Sequence, residues 1–472
     1  MNDGIAGLDA TMLSRIQFGF TITFHILFPS FSIGLAGFLV ALEVLWLRTG
    51  DAIYWRLLRF WTSVFALSFG MGVVSGLVLA YQFGTNWSGL MARAGQIMGP
   101  LLSYETMTAF FLEASFLGIL LFGWRRVSRS MHLFATCMVA LGTCISAFWI
   151  MASNSWMQTP AGFEILNGVL TPVDWWAIIF NPSLPLRYVH MLLAAYIATA
   201  FAVAGTAAWY LLRGRFVPLA RPLLKIALVV IVPLVPLQIL IGDQTGLLVG
   251  KHQPAKLAAI EGQWETGVMP LRLFALPDQA GERNRAEIGI PRLGSLIDEH
   301  SLNKPVTGLK AFPPEDRPRV SIVFWSFRVM VGLGLLMLGV AIAVPFLFRR
   351  RLVYHNKHFL RILIALSPSG FIAIIAGWYT AEIGRQPYVV YGLLRTAEVV
   401  SPVSAHEVSV SLALFVLVYA IVFGAGFWYL LKAIRVGPVE VELPPPLPTG
   451  RRPIAAFTEE SATPQGAKHD RL

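Results

Sequence analysis

Residues 16–47 read IQFGFTITFHILFPSFSIGLAGFLVALEVLWL. Hydrophobic side chains fill most of this run, which is longer than the roughly 20 residues a helix needs to cross a bilayer core of about 30 Å. In lipid a lone strand leaves its backbone polar groups unsatisfied, so the segment is a helix. Comparable runs recur at about 60–83, 99–123, 131–153, 186–212, 223–242, 320–347, 361–381 and 406–431. The sequence therefore predicts an all-α integral membrane protein with nine transmembrane helices.

Composition agrees. Of the 472 residues 56% are hydrophobic and 13% charged, against about 25% charged in soluble chains. A net charge of +11 would suggest nucleic acid in a soluble protein. Here the basic residues gather in short loops, so topology explains them and nucleic acid is excluded as a partner. Arg48, Arg56 and Arg59 follow the first span, and Arg125, Arg126 and Arg129 the third. Arg213, Arg215, Arg221 and Lys225 follow the fifth, Arg349, Arg350, Arg351, Lys357 and Arg361 the seventh, Lys432 and Arg435 the ninth. The positive-inside rule then predicts an outer N-terminus and a cytoplasmic C-terminus. No removable signal peptide is read at the N-terminus.

Four segments follow: 1–242 with six spans, a polar outer loop 243–319, three spans in 320–436, and a Pro-rich cytoplasmic tail 437–472 read as disordered. Cys137 and Cys144 share a helix about 10 Å apart, too far for a disulfide. They read as packing residues, and a cysteine-ligated iron–sulfur cluster is excluded. Asn86-Trp87-Ser88 matches a glycosylation sequon and Gly72-x-x-x-Gly76 a helix-packing motif, both weak signals.

Ionisable residues at membrane depth are costly and mark function. Those singled out are His25, Glu105, Glu113, His190, Arg328 and, at a span end, Glu382. His25 lies about 14 Å into the first span. It is either a neutral histidine bonded to a carbonyl across the bundle or an axial heme ligand. His190 and Met330 stand on two helices and suit the two axial positions of one low-spin heme, although a methionine in an apolar helix is usually core filler. On these boundaries His190 is the shallower of the two, so the spans must shift for both to reach one iron. Arg328, near Met330, needs an anion, and heme propionates would serve. Glu105 and Glu113 lie about 80° and 12 Å apart on an ideal helix. They suit a proton relay, or hydrogen bonds to neighbouring helices. Locally, Glu382 reads as a capped surface turn and Lys256–Thr266 as a solvated amphipathic helix.

Taken together, Ser14-Arg15-Ile16-Gln17-Phe18-Gly19 with His25, Gln82-Phe83-Gly84-Thr85-Asn86-Trp87, Phe110-Phe111-Leu112-Glu113, Lys256-Leu257-Ala258-Ala259-Ile260-Glu261 with Trp264-Glu265-Thr266, and Gly384-Arg385-Gln386-Pro387 occur in the order found in a known family. The chain resembles subunit I of the cytochrome bd quinol oxidases over nearly its whole length. The resemblance implies two hemes b, one low-spin and one high-spin, and a heme d or a third heme b in its place. It implies His190 and Met330 as the low-spin ligands, with Arg328 beside them. His25 and Glu382 match ligands of the other two hemes, the assignment between them left open, and Arg385 matches a heme-binding residue. Glu105 matches a ligand or proton carrier, Glu113 a proton-path residue, and Trp378 an aromatic near the heme pair. Lys256 and Glu261 match quinol-binding residues. The compact outer loop is similar to the short-loop branch that includes cyanide-insensitive oxidases.

The implied activity is electrogenic oxidation of ubiquinol or menaquinol by O2 in the bacterial inner membrane, without proton pumping. A smaller subunit II, and a small single-span subunit, are the implied partners. Outside this family, the residues alone leave open a b-type quinone oxidoreductase that does not use oxygen, or a secondary transporter coupled through Glu105, Glu113 and Arg328. A heme–copper oxidase is excluded, because about six membrane histidines would be needed.

Overall fold

The structure is a computed structural model, and it describes residues 8–439. Fourteen α-helices occur among these residues: α1 (Ala10–Thr49), α2 (Ala52–Thr85), α3 (Ser88–Glu105), α4 (Phe111–Phe122), α5 (Arg129–Gln158), α6 (Trp175–Ile179), α7 (Leu184–Leu212), α8 (Val217–His252), α9 (Pro254–Glu261), α10 (Leu293–Glu299), α11 (Val320–Arg349), α12 (Lys357–Ala365), α13 (Ser369–Ile383) and α14 (Ala405–Val436). They supply nine helical segments long and apolar enough to cross a membrane among the described residues, one for each predicted run. The predicted disordered tail falls almost entirely outside the described residues.

Helix ends follow local chemistry. Asp9 caps α1 by accepting from the Met12 N–H, Gly50 ends it at φ 68°, and Asp51 caps α2 two residues after that end. A glycine tolerates this left-handed turn without strain, so the first two spans fold back as a tight antiparallel hairpin. Small residues let other helices approach closely. A Cβ added at Gly34 would fall 2.1 Å from Thr199 Oγ1, and one at Gly370 2.4 Å from Ala198 Cα. The Gly72-x-x-x-Gly76 motif does pack α2 on α1, with Gly72 against Phe28 and Gly76 against His25.

The third span is not one regular helix. Residues Thr106–Phe110 form a π-turn between α3 and α4. The seventh and eighth runs are α11 and the α12–α13 pair. α8 continues to His252, so the first ten residues of the polar 243–319 segment extend that helix. Next come α9, the antiparallel hairpin β3–β4 (Leu271–Asp278 with Arg283–Ile290) and α10. Two smaller hairpins, β1–β2 (Phe163–Leu166 with Val169–Pro172) and β5–β6 (Tyr388–Val390 with Leu394–Arg395), follow α5 and α13.

The main apolar core occupies the half of the bundle away from the 253–319 segment. Leu35, Leu39 and Leu42 of α1 meet Leu57, Leu58 and Phe65 of α2, Phe201 and Ala204 of α7, Leu224 and Leu228 of α8, and Leu360 and Leu363 of α12. Polar and ionisable side chains concentrate in the other half.

Two local expectations are overturned. Lys256–Glu261 is not a solvated amphipathic helix, because every residue from Ala255 to Glu261 is buried. Glu382 does not lie on a surface turn, since its side chain is only 17% exposed and faces three basic groups. In both cases other segments cover the residues, which local patterning cannot register.

Candidate functional site

Three groups of side chains gather toward the loop-bearing half. The first surrounds Glu382 at the end of α13. Its Oε1 accepts from Asn154 Nδ2 at 3.0 Å and Gln158 Nε2 at 3.1 Å, both on α5. Arg385, one turn on, pairs with its Oε2. Arg187 of α7 bonds Asn154 and donates to Ser155 Oγ at 3.0 Å. Lys256 enters from α9, with its Nζ 3.0 Å from Gln158 Oε1 and 3.0 Å from Gln253 Oε1. Gly384 makes room, since a Cβ there would lie 2.8 Å from Lys256 Cγ. Arg187, Arg385 and Lys256 thus converge on one carboxylate. Burial, then the neighbouring Arg187, holds the Lys256 ammonium well below the usual lysine range, against the pull of Glu382. Nε and Nη1 of Arg385 are buried without a hydrogen-bond partner.

The second group joins the 253–319 segment to α11. Arg328 Nη2 donates to Glu261 Oε2 at 2.7 Å, its Nε donates to the Arg272 carbonyl at 2.6 Å, and its guanidinium lies 4.4 Å from the centroid of the Phe324 ring. Glu261 is buried, at 4% exposure, and Arg328 is partly buried, at 12%. Asp298 of α10 lies nearby with Oδ2 buried and unpartnered. Burial and the adjacent Glu261 raise its carboxyl to about 8.

In the third, Glu105 and Glu113 face α5. Ser146 Oγ donates to Glu105 Oε1 at 2.8 Å. Glu113 packs on Gly142, where a Cβ would fall 2.5 Å from its Cγ. The partners stand four residues apart, one turn of α5. The π-turn explains the departure from the expected 80°. It absorbs one extra residue, so eight residues rotate like seven and the carboxylates come within roughly 20° of one face.

The remaining candidates are isolated. His25 Nδ1 lies 3.0 Å from Ser75 Oγ. His190 Nε2 lies 3.2 Å from Gln238 Nε2, and its Nδ1 is buried without a partner. Glycines stand beside each: a Cβ on Gly76 would lie 3.1 Å from His25 Cε1, one on Gly242 3.4 Å from His190 Cε1, and one on Gly377 2.8 Å from Met330 Sδ. Trp378 packs in a cluster with Ile26 of α1 and Met191 of α7. Among the described residues no three His, Cys, Asp or Glu side chains are grouped to hold a bare metal ion.

Sequence reasoning missed Arg187, Asn154, Gln158 and the buried acid Glu43. Arg187 and Glu43 carried a signal, an ionisable type within or beside an apolar run. Asn154 and Gln158 carried none beyond their polarity.

A family model described as cytochrome bd terminal oxidase subunit I matches residues 13–438. The cytochrome bd ubiquinol oxidase subunit 1 of Bacillus subtilis is 36% identical, over 90% of this chain and 94% of the relative. The cytochrome bd-II ubiquinol oxidase subunit 1 of Escherichia coli is 33% identical, over 91% and 97%. The solved bd oxidase of Geobacillus thermodenitrificans superposes with a TM-score of 0.85 at 34% identity, covering 93% of this chain and all of that one. With nine apolar helices among the described residues and relatives in Bacillus subtilis and Escherichia coli, the protein is a multi-pass protein of the bacterial cytoplasmic membrane. The chain belongs to the cytochrome bd terminal oxidase subunit I family.

Proposed function

We propose that this chain oxidises ubiquinol or menaquinol at its outer segment and reduces oxygen to water at the site around His25, Glu105 and Glu382. Protons come from the cytoplasmic side, so charge separates without pumping. The N-terminus lies outside and the C-terminus in the cytoplasm. His190 and Met330 hold one heme b, and His25 and Glu382 the other two groups, heme b and heme d or a third heme b.

The residues fit such groups. A porphyrin supplies four iron ligands, so it needs one or two side chains, as these isolated positions offer. Glycines keep space open beside His25, His190 and Met330. Around Glu382 three basic residues meet one carboxylate, and the unpartnered Arg385 nitrogens suit heme propionates. Hemes bound there would supply one-electron transfer and the iron that binds oxygen.

The observation that carries the reading is the Glu261–Arg328 pair. It ties a residue matched to quinol binding to the turn of α11 that bears Met330. Glu261 orients a quinol hydroxyl beside that helix. Lys256, whose ammonium burial and Arg187 hold well below the usual lysine range, accepts a hydroxyl proton at Nζ. Glu113 and Glu105, aligned along α5, carry protons toward the oxygen site. Ser103, Tyr104, Thr106 and Thr108 are exposed at membrane depth around Glu105. Lipid covers polar groups poorly, which supports a subunit II, with or without a single-span companion, on this face.

The test is quinol-driven oxygen consumption by the purified complex together with its reduced-minus-oxidised spectrum. Quinol-dependent uptake with heme bands is expected. Heme bands without oxygen uptake would assign the chain to quinone chemistry that does not use oxygen, and a colourless protein would reject the reading.

A further inference from the structure

Glu43 of α1 and His132 of α5 form a buried pair in the apolar half of the bundle, away from the sites above. They are 0% and 3% exposed. His132 Nδ1 lies 2.7 Å from Glu43 Oε1, and Nε2 lies 3.2 Å from the Leu120 carbonyl. Thr136 Oγ1 donates to Glu43 Oε2 at 2.6 Å. A carbonyl only accepts, so Nε2 carries a hydrogen. Nδ1 and Oε1 would then confront each other with lone pairs unless one proton lies between them. The pair therefore holds a proton, as imidazolium with carboxylate or as imidazole with carboxylic acid.

A brace between helices alone would be built more cheaply from apolar side chains. This pair instead stands at the foot of a stripe. On α5, His132, Thr136, Thr143 and Ser146 recur at helical spacing. Gly142 packs on Glu113, and Ser146 bonds Glu105. His132 to Ser146 is about 21 Å along the helix. The longest step, Thr136 to Thr143, is about 10.5 Å, a gap three internal waters would bridge at roughly 2.8 Å per hydrogen bond.

On its other side the pair meets Trp124, and beyond that ring lie the basic loops. Trp124 stacks on His132 with centroids 3.6 Å apart. Arg59 lies over Trp124 at 5.2 Å, and Arg129 over Trp46 at 5.1 Å. Of the titratable and charged groups around the pair, Cys137 lies beside Glu43, and Arg59, with Arg125 beside it, is separated from His132 by the Trp124 ring.

We propose that Glu43 and His132 form the proton-loading station of the inner side, passing protons by way of Thr136 and Thr143 to Glu113. An arriving proton converts the pair to imidazolium and carboxylic acid. The acid proton then departs toward Glu113 and the imidazolium–carboxylate pair returns, with no change in oxidation state. This inference rests on the reading that oxygen reduction draws protons from the cytoplasmic side.

The test uses the whole complex in vesicles, oriented with the inner face toward the lumen and holding a trapped pH dye. Glu43→Gln keeps hydrogen-bonding capacity to His132 and Thr136 but not the proton. It is expected to keep its heme spectrum, to slow oxygen consumption and lumenal alkalinisation together by about tenfold or more, and to lose a carboxylic C=O band from the redox-difference infrared spectrum. Glu43→Asp should restore the band and part of the rate. If the wild type shows no lumenal alkalinisation, the parent reading fails. If the wild type alkalinises and Glu43→Gln matches it in rate and pH profile, the loading station is overturned while the parent reading stands. Should Glu43→Gln lose its hemes, Glu43→Asp decides, and an unshifted pH–rate profile with intact hemes overturns the proposal.

Discussion

Lys256 and Glu382 share one side chain. Gln158 accepts from the lysine Nζ at 3.0 Å through Oε1 and donates through Nε2 to Glu382 Oε1 at 3.1 Å. A residue of α9 is thereby linked to a carboxylate at the end of α13 across a helix that belongs to neither. A change at Lys256 must therefore reach two places.

Lys256→Met is expected to slow quinol oxidation by roughly 10²-fold, the scale of a lost acid–base group. It should also perturb the spectrum of the heme assigned to Glu382, because Gln158 loses a donor. Glu261→Gln, lying on the Arg328 side, should slow quinol oxidation without that perturbation. Quinol turnover, turnover with an artificial donor and the spectrum, measured on both variants, check this. Identical spectra in the two would contradict it.

His190→Ala and Met330→Ala should each remove the low-spin heme signal while leaving the other bands. Reduced-minus-oxidised spectra at low temperature provide the check. An unchanged low-spin band in both variants would reject the pairing.

Gly377→Ala tests the space beside Met330. The added methyl would stand 2.8 Å from Sδ, closer than atoms pack, so the thioether must move. Methionine ligation raises the potential of a heme iron. The low-spin midpoint potential is therefore expected to fall in Gly377→Ala, as read by redox titration.

Asp298 makes the 253–319 segment sensitive to pH. Its folded carboxyl is raised to about 8 by burial and by Glu261, with Glu299 and Asp243 adding and Arg328 opposing. Proton binding therefore favours the folded segment. The contribution is complete below the ordinary aspartate range and is lost as pH rises through about 8. The hydrogen–deuterium protection factors of residues 293–299, corrected for base-catalysed intrinsic exchange, should fall between pH 7 and 9 in the wild type and stay level in Asp298→Asn.

Much of this architecture was legible in the residues because lipid imposes a one-dimensional rule. An apolar run of sufficient length must be a helix, and all nine runs are covered by helices. The ionisable residues within those runs stood out for the same reason. The π-turn was not legible, because Thr106–Phe110 reads as ordinary helix and its extra residue reveals itself only in how Glu105 and Glu113 both face α5. The buried surroundings of Glu382 were hidden too. Its partners Asn154 and Gln158 lie more than two hundred residues earlier, and nothing near Glu382 announces them. Glu43 shows the reverse case. It stood in the first run to be read, yet only the meeting with His132, 89 residues on, marks it as more than a stray acid.

The account turns on tetrapyrrole-bound iron seated in this chain. Pyridine hemochrome analysis of the purified complex, normalised to chain concentration, addresses it directly. The account predicts three iron tetrapyrroles per chain: two protohemes with a chlorin-type heme, or three protohemes. A preparation of folded complex without pyridine-extractable heme would contradict it.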